Sequence, residues 1–100
     1  MSDENQIVVP PAFIALYLTP GRSRPGAPRA EIAARHEFCE DLAHALTERA
    51  AQIKWDLGLA EADVLERIRR GLLQPDAGVS EAEAGWVMGR LSELLDWPAG

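Results

Sequence analysis

The chain has a single cysteine, Cys39, and a single lysine, Lys54, among its 100 residues. A lone cysteine excludes an intrachain disulfide and points to a reducing compartment. Cations are scarce altogether: 10 Lys and Arg stand against 16 Asp and Glu, a formal net charge of −6. That balance argues against a duplex nucleic-acid binder, which needs a basic face to displace counterions. Long apolar runs are missing too. The longest, Ile7 to Leu18, is interrupted by Pro10 and Pro11, and a bilayer takes about 20 residues to cross. Met1-Ser2-Asp3-Glu4 is acidic where a secretion signal would be basic. These features read as a cytoplasmic protein without a membrane span.

What is present is apolar and helix-forming. The hydrophobic fraction of 47% is too high for a disordered chain. The length fits one domain, residues 1–100. Residues 1–6 are polar and read as a frayed terminus, and the β-branched Ile7-Val8-Val9 as a short extended stretch. Pro11 is suited to a first helical turn, so Pro11 to Leu18 is expected to form about two turns of helix. Phe13, Ile14, Leu16, Tyr17 and Leu18 leave it almost no polar face. Such a segment must be covered by the other helices, a second copy or a partner. Residues 19–28 are rich in proline, glycine and arginine and read as a loop.

Residues 29–57 contain no Gly or Pro. Ile32, Cys39, Leu46 and Ile53 recur at heptad spacing, with His36, Ala43, Ala50 and Leu57 alongside, which predicts one long helix with a continuous buried stripe. Gly58 is placed to end it as a left-handed cap. A further helix is expected over about Glu61 to Arg70, with Val64, Leu65 and Ile68 buried and Gly71 as its cap. After a turn at Gln74 to Gly78, Ser80 and Glu83 have capping-box spacing. The last helix should run from about Glu81 to Asp96, with Ala84, Val87, Met88, Leu91, Leu94 and Leu95 as its apolar face and Pro98 as its stop. The predicted fold is all-α: a small helical bundle of three main helices, with a short apolar N-terminal helix or extended segment packed across it.

Several strings are distinctive: Val9-Pro10-Pro11-Ala12-Phe13-Ile14-Ala15-Leu16-Tyr17 with Pro20-Gly21-Arg22, Phe38-Cys39-Glu40-Asp41-Leu42-Ala43, Asp63-Val64-Leu65-Glu66-Arg67-Ile68, and Gly85-Trp86-Val87 leading to Trp97. Together, over about residues 7–97, they resemble a group of short bacterial proteins, mainly β-proteobacterial, that carry the label "ATPase with chaperone activity". The resemblance implies nucleotide hydrolysis or work beside a chaperone. Hydrolysis by the usual phosphate-cradling loop needs Gly-x-x-x-x-Gly-Lys-Ser/Thr between a strand and a helix. Lys54 lies deep in the long helix, and the loop from Gly21 to Gly26 has Arg22 and Arg24 but no lysine. No cofactor is expected.

Other constellations are incomplete. His36, Glu40 and His44 step by four along one helix, and Asp41 and His44 have the spacing of a carboxylate–histidine pair. Metal sites of that kind need ligands from facing helices, and the chain has only two histidines. Cys39 lies in the apolar stripe, where a buried small hydrophobe is expected rather than a nucleophile. Arg67, Arg69 and Arg70 on the 61–70 helix suggest a nucleic-acid-binding regulator as the alternative, but they point in different directions and share the helix with Glu61, Asp63 and Glu66.

The remaining candidates point to protein contact. Trp55 falls about 140° from the Ile32 row. Trp86 and Trp97 lie near one edge of the last helix; tryptophan is enriched at interaction hot spots, and it also serves to cover the edge of a small core, so both readings stand for the three rings. With Phe13, Tyr17 and the loop arginines Arg22, Arg24 and Arg29, they form the expected partner-binding set. The function expected is that of a non-enzymatic interaction module, an adaptor or regulator associated with a chaperone or protease machine. No catalytic, cofactor or metal residue is assigned; a protein partner or a second copy is.

Overall fold

In the computed structural model the described residues are 9–18 and 26–98. The expected frayed terminus, the extended stretch at Ile7 and Val8, and the loop from Thr19 to Pro25 lie outside them. The helices are α1 (Pro11–Ile14), α2 (Arg29–Leu57), α3 (Glu61–Leu72) and α4 (Glu81–Leu95). The fold is a small all-α bundle whose main helices are α2, α3 and α4, with no strand among the described residues. None of these helices is long and apolar enough to cross a membrane. Contacts divide the chain after Phe38 into two units, each described by itself.

In the first unit, Pro10 is extended and its carbonyl accepts from the N–H groups of Phe13 at 2.9 Å and Ile14 at 3.2 Å. One α-turn then tightens into a 3₁₀ turn at Ala15–Tyr17, and Leu18 is extended. The expected two-turn helix is therefore shorter and tighter, because so few residues cannot sustain an α-helix by backbone bonds alone. Phe13 has no exposed surface. Its ring centroid lies 5.5 Å from that of Tyr17 and 5.1 Å, edge to face, from that of His36 on α2. Ile14, Leu16 and Tyr17 are half-buried and Leu18 is exposed. Covering of this apolar segment is complete only at Phe13.

In the second unit, α2 continues to Leu57 and stops as expected at Gly58, whose φ of +63° favours glycine. α3 buries Val64, Leu65, Ile68 and Leu72. It does not stop at Gly71 as the sequence suggested. Leu72 is buried one residue later, and anchoring it outweighs the roughly 1 kcal/mol a mid-helix glycine costs. Pro75 ends the helix instead, by forcing Gln74 into extended geometry. α4 opens on a complete capping box: the Ser80 hydroxyl accepts from Glu83 N–H at 3.0 Å, and the Glu83 carboxylate accepts from Ser80 N–H at 2.9 Å. It ends at Leu95, one residue before the expected Asp96, which takes a left-handed conformation (φ 58°).

The buried face of α2 is not centred where the heptad row suggested. Ile32, His36, Cys39, Ala43 and Ala50 are buried, whereas Leu46 and Ile53 are half-buried and Leu57 is 54% exposed. A straight helix drifts about 20° per heptad relative to a strict seven-residue repeat, so the row rotates out of the core toward Ile53. The fully buried positions from Cys39 onward are small: Cys39, Ala43 and Ala50.

Candidate functional site

The three tryptophans have separate environments. Trp86, half-buried on α4, donates its indole N–H to the Glu40 carboxylate on α2 at 3.3 Å. Trp97, half-buried just beyond α4, has the Lys54 ammonium 5.3 Å from its ring centroid. That ammonium also donates to Glu61 at 2.8 Å. Both rings therefore cover the edge of the bundle and hold α2 against the chain that follows it. Trp55 is 85% exposed, and no hydrogen bond or ring contact to it occurs among the described residues.

The other expected contact residues divide similarly. Phe13 is withdrawn into the core, which corrects its place in the partner-binding set: a fully buried ring has no surface to offer. Tyr17 is half-buried beside it. Arg29, the first residue of α2, is exposed, while Arg22 and Arg24 lie outside the described residues.

Three residues outside that set, Glu40, Arg90 and Glu93, build the most connected polar cluster among the described residues. Glu40 accepts from Arg90 Nε at 3.0 Å and 2.9 Å through its two oxygens, as well as from Trp86. Arg90 also donates to Glu93 at 2.8 Å. The hydrogen bond to Glu40, then that to Glu93, holds the Arg90 guanidinium above its ordinary pKa, against the opposing effect of burial. Trp86, Arg90 and Glu93 follow one edge of α4 at helical spacing, which is visible in sequence. The acceptor that Trp86 and Arg90 share on α2 is 46 and 50 residues away from them and carries no local signal.

The candidate chemistry disperses. His36 is buried beside Phe13, His44 is exposed, Glu40 is committed to α4, and Cys39 is fully buried. Among the described residues no three His, Cys, Asp or Glu side chains are grouped to hold a metal ion. On α3, Arg69 donates twice to Glu66 at 3.1 Å and Arg70 lies 3.7 Å from it. The Arg69 hydrogen bond is the main cause holding the Glu66 carboxyl below its usual range.

Between α3 and α4 runs a shallow groove of about 450 Å³, with Leu65, Met88, Gly85 and Gly89 among its lining residues. Neither glycine has a positive φ, and a Cβ added at either would meet nothing within 4 Å. Neither backbone shape nor internal packing calls for glycine there. Gly85→Ala and Gly89→Ala are each expected to raise stability by about 0.5–1 kcal/mol. Thermal melts should show upward shifts of a few degrees, and a fall in either variant would show that the glycine is structurally required.

No family model, curated protein or solved structure matches the chain.

Proposed function

We propose that the chain is a non-enzymatic protein-interaction module, an adaptor or regulator that works in the cytoplasm beside a chaperone or protease machine. The observation that carries this reading is Trp55, a large aromatic ring standing 85% exposed on the 29-residue α2. Exposed tryptophan is poorly suited to water and well suited to a binding hot spot. The association with a chaperone comes from the family resemblance alone.

The alternative, a nucleic-acid-binding regulator using α3, draws less support. Two of its three arginines are engaged with Glu66 on the same helix, and the whole chain is acidic.

Two measurements test the proposal. Tagged protein in a native bacterial lysate should retain a specific partner that the correctly folded Trp55→Ala variant loses. Equal retention by both would remove Trp55 as the contact. Pure protein should also hydrolyse ATP no faster than a buffer blank. Turnover that follows the protein peak through two successive columns would overturn the non-enzymatic reading.

A further inference from the structure

On a helix of 3.6 residues per turn, Asp41, Glu48 and Trp55 lie along one strip, each about 10.5 Å from the next. All three are exposed, as are His44 and Gln52 beside them. The strip faces away from the buried Cys39, Ala43 and Ala50. It is therefore a solvent-facing ridge, winding by about 20° per heptad, on which two carboxylates lead to an uncovered indole ring.

The rest of the unit leaves this ridge negative. Of the basic side chains after Phe38, Lys54, Arg69, Arg70 and Arg90 are engaged by Glu61, Glu66, Glu40 and Glu93. Neither Asp41 nor Glu48 has a hydrogen bond or ion pair among the described residues. Asp56, at the end of the helix, accepts from Gln52 at 2.9 Å and so is not neutralised either. Lys54 and Arg90 thus pair α2 with α3 and α4, and Arg69 and Arg70 are held within α3. Of the exposed cations that remain, Arg67 is on α3 and Arg49 lies about 80–120° round α2 from Asp41, Glu48 and Trp55, flanking the strip rather than standing on it.

We propose that this strip docks an arginine-bearing helical segment of another protein. Charge complementarity selects a cationic occupant. The indole selects arginine, because a guanidinium stacks on its face while neighbouring arginines engage the carboxylates. The even spacing of Asp41, Glu48 and Trp55 selects a helix, which can repeat a basic side chain at the same interval. The inference rests on the interaction-module reading and gives its partner a chemical class.

The probe is a synthetic alanine-rich helix with arginine at every seventh position, titrated into the intact protein and followed by amide and indole NMR. The control has the same composition with its arginines spread around the helix. The aligned peptide should move the Trp55 indole signal and the amides around Asp41 and Glu48, leaving those of Trp86 and Trp97 in place. Affinity should fall about three- to fivefold in Trp55→Ala, judged from the cation–π range at exposed sites. It should fall about two- to fivefold in Asp41→Asn and in Glu48→Gln, and decline with added salt. Equal binding of the control peptide, or shifts centred on Trp86, would overturn the proposal. So would a mass measurement showing a dimer that Trp55→Glu converts to a folded monomer, since the occupant would then be a second copy. A lysate partner lost in Trp55→Ala but indifferent to salt, Asp41→Asn and Glu48→Gln would sink the cationic-helix inference while leaving the interaction module standing.

Discussion

Ala43→Asp is expected to abolish cooperative folding at room temperature, whereas Leu46→Asp leaves a folded protein with a lowered melting point. Ala43 is fully enclosed. Aspartate there adds volume to a packed site and buries a carboxylate with no placed partner, the combination behind losses above about 4 kcal/mol. A domain of this size has about 5–15 kcal/mol in all. Leu46 is only half-buried, so its replacement can turn toward water, and the loss is closer to half of the roughly 1.5–3 kcal/mol for a fully buried leucine. Circular dichroism melts of the two variants provide the comparison. If Leu46→Asp were the more damaging, the buried face of α2 would have to be rotated back onto the heptad row.

Glu40→Ala carries the second large effect. It removes the acceptor shared by Trp86 and Arg90 at a site where the Glu40 and Arg90 side chains are only 22% and 29% exposed. Hydrogen bonds to charged groups contribute about 1.5–3 kcal/mol, and the remaining Glu93 contact restrains Arg90 only from its own helix. A melting-temperature fall on the order of 10 °C follows for a domain of this length. Glu40→Gln should lie between, since an amide oxygen still accepts the indole N–H but the ion pair is gone. A double-mutant cycle with Arg90→Ala isolates the coupling. Additive losses in that cycle would mean that the two side chains meet without contributing jointly to stability.

Much of the secondary structure was legible because its determinants are local. The absence of Gly and Pro from 29–57 bounded α2, and Gly58 closed it. Ser80 and Glu83 opened α4 with a box that spans only four residues. Local rules failed where packing competed with them. Gly71 resembled a cap, but the burial of Leu72 carried α3 past it until Pro75 barred the way. At Pro11 to Leu18 the composition favoured helix, yet the segment was too short to hold one beyond a single α-turn.

The candidate contact surface was less legible. That Trp55 lies off the buried stripe follows from helical periodicity, and the strip of Asp41, Glu48 and Trp55 follows from the same arithmetic. Trp86 and Trp97 looked equivalent to it, each readable as interface or as cover for the edge of the core. Their difference depends on Glu40 and Lys54, which approach them from another part of the chain.

The sequence by itself determined the helical class, the limits of α2 and the capping of α4, because backbone hydrogen bonds, glycine and proline geometry and caps act within a few residues. Only the tertiary structure decided which row of α2 is buried, which tryptophans are engaged, and which charges are neutralised. Those outcomes depend on side chains brought together from distant positions, and on the angle at which each helix meets its neighbours, neither of which a single helix encodes.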